Sequence, residues 1–149
     1  MALLDLISPE VIKVPIISTN KNDLIRELIQ ILKDAGKIAD VDTIYESVQK
    51  REHLGSTGLE NGIAVPHAKT DAVNSIVMSI GISPQGVDFD SLDGNPSNLF
   101  FLILAPKDKS GPHIEILAEI ARITQSRSFC QQLIKARSSE EVLGIIKEY

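Results

Sequence analysis

The sequence predicts an α/β fold, a three-layer sandwich in which a mixed β-sheet is flanked by helices. Residues 99–105 are apolar at every position and lie between turns, which indicates a central strand covered on both faces. Amphipathic helical patterns both precede and follow the strand-forming region. The length of 149 residues fits one domain, predicted to span residues 1–149, with a substantial core.

The first two predicted elements are an edge strand and a helix. Residues 11–17 form a β-branched run that Pro15 interrupts, and a proline of this kind is tolerated at the edge of a sheet. Asn20 or Asn22 can cap the helix that follows, and Gly36 ends it. The apolar positions of this helix keep helical spacing: Leu24, Ile25, Leu28, Ile29, Leu32 and Ala35.

A second helix opens at Asp40 and ends before Gly55. Its inner stripe consists of Val41, Ile44, Tyr45 and Val48. The next expected elements are strands at residues 62–68 and 75–82, a turn at 84–86, a short strand at 87–89 and a turn at Asp93 and Gly94.

The C-terminal third is predicted to be helical. One helix covers residues 113–124 and another covers 129–136. Ser138 and Glu141 have the spacing of a capping box, which predicts a last helix.

Composition and charge exclude several classes of function. The formal net charge is -5 and no basic run occurs, so nucleic acid is not an expected partner. The single cysteine, Cys130, excludes an internal disulfide and suits a reducing compartment. The N-terminus lacks the pattern of a signal peptide, and no stretch approaches the ~18 apolar residues of a membrane span. We therefore expect a cytoplasmic protein without membrane insertion.

Residues 58–70 are the most informative segment of the chain. A glycine-punctuated loop leads into a short apolar strand that ends at His67, directly after Pro66. Pro66 fixes its own φ and biases Val65 toward extended geometry, so His67 is held on a stiff backbone. Alternation places Ile63, Val65 and His67 on one face. A partly buried structural histidine is the common alternative, but an imidazole held at the edge of a core also suits a nucleophile.

Arg51 is the second candidate. Steps of three or four residues from Val48 along the second helix reach Arg51 or Glu52. The guanidinium could complement the helix dipole or extend into solvent. Alternatively, it points into a pocket, where its planar fork binds oxyanions.

His113 is the third candidate, after the loop that leaves the central strand. If Ser110 or Gly111 is the N-cap, Pro112 suits the first turn and His113 lies within it. The helix dipole disfavours imidazolium there and favours a bound anion. In α/β sheets, ligands bind at the carboxyl ends of strands. A capping or surface histidine is the alternative.

The loop before the His67 strand contains Ser56 and Thr57 between two glycines, either a phosphate-binding loop or a simple turn. Together with Arg51 and His113, these residues match what a phosphohistidine needs. A neutral imidazole attacks phosphorus without a general base, and an arginine with helix-terminal donors stabilises the equatorial oxygens. We expect no metal and no cofactor.

The chain resembles the enzyme IIA domain of the bacterial phosphoenolpyruvate-dependent sugar phosphotransferase system, fructose/mannitol (type 2) family. The similarity covers nearly the whole chain in several separated motifs. These motifs are Arg51-Glu52, Ser56-Thr57-Gly58, Gly62-Ile63-Ala64-Val65-Pro66-His67, Val87-Asp88-Phe89-Asp90, Asp93-Gly94, residues 99–106 and residues 113–118.

The resemblance implies a phosphocarrier. His67 would accept a phosphoryl group on Nε2 from phospho-HPr and pass it to a cysteine of enzyme IIB, which works with a membrane IIC. Arg51 and His113 occupy the positions that the family uses to orient and stabilise this group. Ala68 after the histidine resembles the fructose branch, whereas the nitrogen-regulatory branch commonly has glycine there.

Two alternatives stay open at this point. We expect a lone domain without a fused IIB, IIC or HPr-like module, which could instead report its phosphorylation state to regulatory partners, as a charge switch on His67. A metal-dependent hydrolase using His53, His67 and His113 is less favoured, because these histidines lack ligand spacing.

Overall fold

The computed structural model describes residues 2–149, which form five α-helices, five β-strands and two short 3-10 helices. The 3-10 helices are Ala2–Leu6 and Pro9–Val11, and the α-helices are α1 (Lys21–Asp34), α2 (Val41–His53), α3 (Ser110–Ile123), α4 (Arg127–Lys135) and α5 (Ser139–Glu148). The strands are β1 (Ile12–Lys13), β2 (Ile63–Ala64), β3 (His67–Lys69), β4 (Val77–Val87) and β5 (Ser97–Ala105).

The strands form one mixed sheet in the order β1-β4-β5-β2, and β3 also pairs with β5. Strands β4 and β5 are antiparallel, whereas β1 runs parallel to β4, and both β2 and β3 run parallel to β5. As predicted, the first strand lies at an edge. It is shorter than expected, but pairing resumes after Pro15, since the Ile16 N–H donates to the Ile82 carbonyl at 2.8 Å.

The central strand is β5, as the apolar run at residues 99–105 predicted. Every residue from Leu99 to Ala105 has no solvent exposure. Successive side chains of a strand point to opposite faces, so both faces of β5 are covered. Helix α1 packs on β4, α2 on β3, α3 on β5, and α4 on both β4 and β5. The prediction of a mixed sheet between helical layers is confirmed.

The predicted strand at residues 62–68 is two short strands, so this prediction was wrong in its continuity. Pro66 has no N–H to donate, and the Val65 N–H donates to the Thr57 carbonyl at 3.0 Å instead of to β5. Both short strands keep the same register with β5. Ile63 pairs with Leu99, and His67, four residues later, pairs with the residue four positions further along β5.

The predicted turn at residues 84–86 does not reverse the chain, and no separate strand follows it at 87–89. Strand β4 runs on to Val87, with an irregularity of register between Ile82 and Val87. Gly86 has a φ of 84°, which supports the local distortion, and Asn98 Nδ2 donates to the Ser83 carbonyl at 2.9 Å. The turn-forming residues therefore produce a bulge.

The helix caps agree largely with the sequence patterns. Of the two candidates for α1, Asn20 is the cap, since its side chain accepts from the Asp23 N–H at 2.9 Å. Ser138 caps α5 by accepting from the Glu141 N–H at 3.1 Å. The Glu141 carboxylate accepts from the Arg137 N–H rather than from the Ser138 N–H, so the reciprocal bond is displaced by one residue.

Candidate active site

The imidazole of His67 is fixed by a backbone carbonyl two residues before it. His67 is the first residue of β3, and its Nδ1 lies 2.8 Å from the Val65 oxygen. A carbonyl oxygen only accepts hydrogen bonds, so Nδ1 carries the proton in the neutral ring. The lone pair of the neutral ring is then on Nε2, which is the nitrogen available to a phosphorus electrophile.

His113 lies directly against His67. The ring centroids are 5.4 Å apart in an edge-to-face arrangement with an interplanar angle of 71°. His113 is only 3% exposed, and neither of its ring nitrogens has a hydrogen-bond partner among residues 2–149. Unpartnered nitrogens in a buried ring are costly, and both nitrogens of His113 remain able to form a hydrogen bond.

Both histidines are held in the neutral form. Burial is the main cause that lowers the pKa of His113 to about 4, and the charge of Lys69 and the charge that His67 would carry if protonated act in the same direction. Burial is also the main cause that lowers the pKa of His67, and the charges of Arg51 and Lys69 add to it. The hydrogen bond to Val65 and the charge of Glu52 act in the opposite direction. A neutral imidazole at physiological pH is the nucleophilic form.

Arg51 and His67 line the same cavity of about 220 Å³. Arg51 lies in the last turn of α2, where its Nη1 donates to the Gly55 carbonyl at 2.8 Å. One wall of the cavity comes from the loop and β3 region, and the other comes from α3. The lining residues are Arg51, Ser56, Thr57, Leu59, Val65, His67, Leu117, Ile120, Ala121 and Thr124.

The structure therefore brings together the three main candidate residues. Arg51 and His67 share the cavity, as does Val65, which the alternation placed on the face of His67. His113 packs against the His67 ring. Its imidazole is buried, so His113 is not the surface histidine that was the alternative.

The hydroxyls of Ser56 and Thr57 both donate to other groups. Ser56 Oγ donates to the Phe89 carbonyl at 2.7 Å and accepts from the Gly58 N–H. Thr57 Oγ1 donates to Glu52 in a short hydrogen bond. Both residues line the cavity, but a hydroxyl contact to a phosphoryl group requires one of these bonds to be exchanged.

Sequence reasoning missed the buried carboxylate of Glu52. The helical spacing reached Arg51 or Glu52, and the structure buries Glu52 at 6% exposure while Arg51 stays at the cavity. The steps Ile44, Val48 and Glu52 place the carboxylate on the buried stripe of α2. The four-residue spacing from Ile44 and Val48 is the signal in the sequence that predicts this burial.

The start of α3 also differs from expectation. The helix begins after Lys109 rather than after Ser110 or Gly111, because the Lys109 carbonyl accepts from the His113 N–H at 3.1 Å. His113 still lies near the helix N-terminus, as predicted. Lys69, on the same strand as His67, donates to Ser110 Oγ at 2.8 Å.

The structure also bears on the metal and membrane hypotheses. Within the part of the chain that the structure describes, the His, Cys, Asp and Glu side chains form no group of three or more that could hold a metal ion. His53 is exposed at the end of α2. In residues 2–149, no helix has the length and apolarity that crossing a membrane demands.

Comparisons with known proteins identify relatives of this chain. The family model "Phosphoenolpyruvate-dependent sugar phosphotransferase system, EIIA 2" matches residues 5–149. The PTS system fructose-specific EIIABC component of Bacillus subtilis is 35% identical over the whole chain, which spans 24% of that protein's length. The PTS system fructose-specific EIIA component of Haloferax volcanii is 34% identical over 86% of this chain and 83% of its own.

A solved structure extends the likeness to the whole fold. The Nitrogen Regulatory Protein IIA-Ntr from Neisseria meningitidis superposes with a TM-score of 0.90 at 28% identity, over 98% of this chain and 99% of that one. The fold, the match of the family model and these relatives agree over nearly the full length. The chain therefore belongs to the EIIA 2 family of the phosphoenolpyruvate-dependent sugar phosphotransferase system.

Proposed function

We propose that the protein is a phosphocarrier that accepts a phosphoryl group on His67 Nε2 from phospho-HPr and passes it to a cysteine of enzyme IIB during sugar uptake. The observation that carries the proposal is the hydrogen bond of Nδ1 to Val65, which leaves the Nε2 lone pair for attack. The fructose-specific relatives favour a fructose-like sugar, and the EIIABC relative has IIB and IIC parts on one chain with its IIA.

The chemistry is two successive displacements at phosphorus. The Nε2 lone pair of His67 forms a P–N bond as the P–N bond of the donor breaks, and the donor nitrogen keeps the electron pair. The His67 ring gains positive charge while Nδ1–H stays bonded to Val65. In the second step a thiolate of IIB attacks phosphorus, and the electron pair returns to Nε2.

Arg51 and His113 have distinct roles in this proposal. Arg51, at the cavity, supplies a fixed positive charge and paired N–H donors for the equatorial oxygens. His113 contributes a ring N–H from beside His67, and its unpartnered nitrogens are free to do so. Ser56 and Thr57 line the cavity and would contact the phosphoryl group after exchange of their present hydrogen bonds.

The test is incubation with phospho-HPr followed by mass spectrometry in neutral or alkaline buffer, since acid hydrolyses a P–N bond. We expect one phosphoryl group on His67, and none on the His67→Ala variant. Arg51→Ala is expected to slow transfer by about a hundredfold, the usual cost of one charge-stabilising donor. His53→Ala, at an exposed position, is the control and should behave as wild type. Normal phosphorylation of His67→Ala would overturn the proposal.

A regulatory role is the second candidate, favoured by the likeness to IIA-Ntr over nearly the whole of both chains. The phosphoryl group on His67 would then act as a charge switch for a protein partner. Mixing the phosphorylated protein with a fructose-type IIB separates the two. Loss of the label from His67 to a IIB cysteine within seconds supports transport, and retention of the label together with partner binding in one phosphorylation state supports regulation.

A further inference from the structure

A continuous series of hydrogen bonds connects a buried carboxylate to the His67 ring. Glu52 Oε1 accepts from the Thr57 N–H at 3.2 Å, and Glu52 Oε2 accepts from the Thr57 hydroxyl. The Thr57 carbonyl accepts from the Val65 N–H at 3.0 Å. The Val65 carbonyl in turn accepts from His67 Nδ1 at 2.8 Å. We call these four residues the Glu52 network.

The far end of the Glu52 network is anchored by a lysine. Lys21, the first residue of α1, places Nζ 2.9 Å from Glu52 Oε1. The same ammonium lies 4.6 Å from the ring centroid of Phe89. A buried carboxylate is costly unless it is paired and hydrogen-bonded, and Lys21 with the two Thr57 donors meets that requirement. The carboxylate is therefore held in one place, and the Thr57 backbone with it.

This placement controls two properties of the nucleophile. First, the position of Thr57 sets that of Val65, whose carbonyl orients the imidazole and keeps the proton on Nδ1. Second, a negative charge stands behind a ring that becomes positive when Nε2 attacks phosphorus. The charge of Glu52 acts on His67 in the direction that favours a positive ring, opposite to Arg51 and Lys69.

We propose that Glu52 is a positioning residue for phosphoryl transfer, which acts through Thr57 and Val65 to hold His67 as the Nδ1–H tautomer with Nε2 directed at the donor. The inference rests on the proposed function of His67. Its structural half, the control of the tautomer and orientation of the unphosphorylated ring, can be measured without any phosphoryl donor.

The sharpest test compares Glu52→Gln with Glu27→Gln. Glu27 is a close match in chemistry, because it also binds a lysine, Lys13 at 2.7 Å, and both the N–H and the hydroxyl of Ser18. Lys13 belongs to β1 at the opposite end of the sheet order from β2. Both variants lose a charged carboxylate with similar partners, and only one of them belongs to the Glu52 network.

Two readouts are needed. By ¹⁵N NMR of the histidine rings, Glu52→Gln should show a mixture of Nδ1–H and Nε2–H tautomers of His67 and a lower pKa of that ring, and Glu27→Gln should show neither change. With phospho-HPr, Glu52→Gln should transfer about tenfold to a hundredfold more slowly, as expected for a misaligned nucleophile, and Glu27→Gln should transfer as wild type. A purely structural role of Glu52 would lower the stability of Glu52→Gln and leave the His67 tautomer unchanged.

The outcomes separate the two proposals. An unchanged His67 tautomer and pKa in folded Glu52→Gln overturns the inference, whatever the transfer rate. A wild-type protein that phospho-HPr does not phosphorylate overturns the proposed function, while the NMR result still decides the tautomer control. If Glu52→Gln does not fold, Thr57→Val and Thr57→Ser replace it. Thr57→Val removes the hydroxyl that donates to Glu52 and should disturb the His67 tautomer. Thr57→Ser retains that hydroxyl and should keep the wild-type tautomer.

Discussion

His67 and His113 are in ring contact, yet their nitrogens have different surroundings. His67 has one nitrogen bonded to a carbonyl and one free, whereas both nitrogens of His113 are buried without partners in the described chain, residues 2–149. Identical side chains thus differ because one lies at the start of a strand beside a cavity and the other lies on the inner side of a helix. The sequence predicts both histidines as site residues, but only the hydrogen bond of His67 to Val65 and the burial of His113 distinguish the two rings.

His113 should make the stability of the protein depend on pH. Its pKa is lowered to about 4 in the folded state, against an ordinary value of 6.5. Between these values the unfolded chain binds a proton that the folded chain does not. The free energy of unfolding therefore falls as pH falls through this window, by about 1 kcal/mol between pH 7 and 5.5 from this residue.

Urea unfolding of wild type and His113→Phe at pH 7 and pH 5.5 measures the contribution of His113 to the pH dependence of stability. The phenylalanine keeps a ring of similar shape but does not titrate, so the loss of stability on acidification should be smaller by about 1 kcal/mol. Equal losses in both proteins would show that His113 does not hold a lowered pKa.

The elements show where local patterns succeed and where they fail. Helix α1 begins after a predicted cap and β5 is the predicted central strand, because capping and uniform apolarity are local properties. The predictions of a single strand at residues 62–68 and of a turn at residues 84–86 were wrong. In both places the deciding partner lies outside the segment that carries the pattern: the Thr57 carbonyl for Val65, and the Asn98 side chain for the segment at Ser83.

The local structure around two glycines, Gly86 in the bulge of β4 and Gly144 in α5, predicts opposite effects of substitution by alanine. Gly86 has a φ of 84°, and an added Cβ would lie 2.9 Å from Pro96 Cβ. Gly86→Ala should therefore lower the free energy of unfolding by more than 1 kcal/mol. Gly144 lies inside α5, and an added Cβ there has nothing within 4 Å among the described residues.

Gly144→Ala is the control and should raise stability by roughly 0.5–1 kcal/mol, since alanine favours a helix interior over glycine. Thermal and denaturant unfolding of the two variants at one pH compares them directly. A Gly86→Ala variant as stable as wild type would mean that the bulge tolerates a side chain, so that residues 84–86 have another conformation in solution.

At the scale of the whole molecule, one central strand connects both helical layers to the site. Strand β5 pairs with β4, β2 and β3, and β3 carries His67. Its buried residues contact elements on both faces, so the strand serves as the common support of the nucleophile and of α3 with His113. Stability and site geometry are consequently coupled through β5.

Truncation of β5 should be among the most costly changes in the protein. Leu102 has no solvent exposure, and Leu102→Ala is expected to lower the free energy of unfolding by roughly 3–5 kcal/mol through lost burial and the cavity that remains. Leu92→Ala, at a leucine with 72% exposure, should change it by less than about 0.5 kcal/mol. Chemical denaturation of both variants provides the measurement, and similar losses at the two sites would contradict the central position of β5.

The sequence by itself determined the class of fold, the central strand and most helices, and it predicted Arg51, His67 and His113 as site residues. Each depends on a local pattern: periodicity, capping, or a reactive side chain on a rigid segment. Only the tertiary structure decided that His113 packs against His67, that Glu52 is buried while Arg51 reaches the cavity, and that the Thr57 hydroxyl bonds to Glu52. These are relations between side chains, and their hydrogen-bond partners depend on how loops and helices pack against one another, which periodicity along one element does not encode.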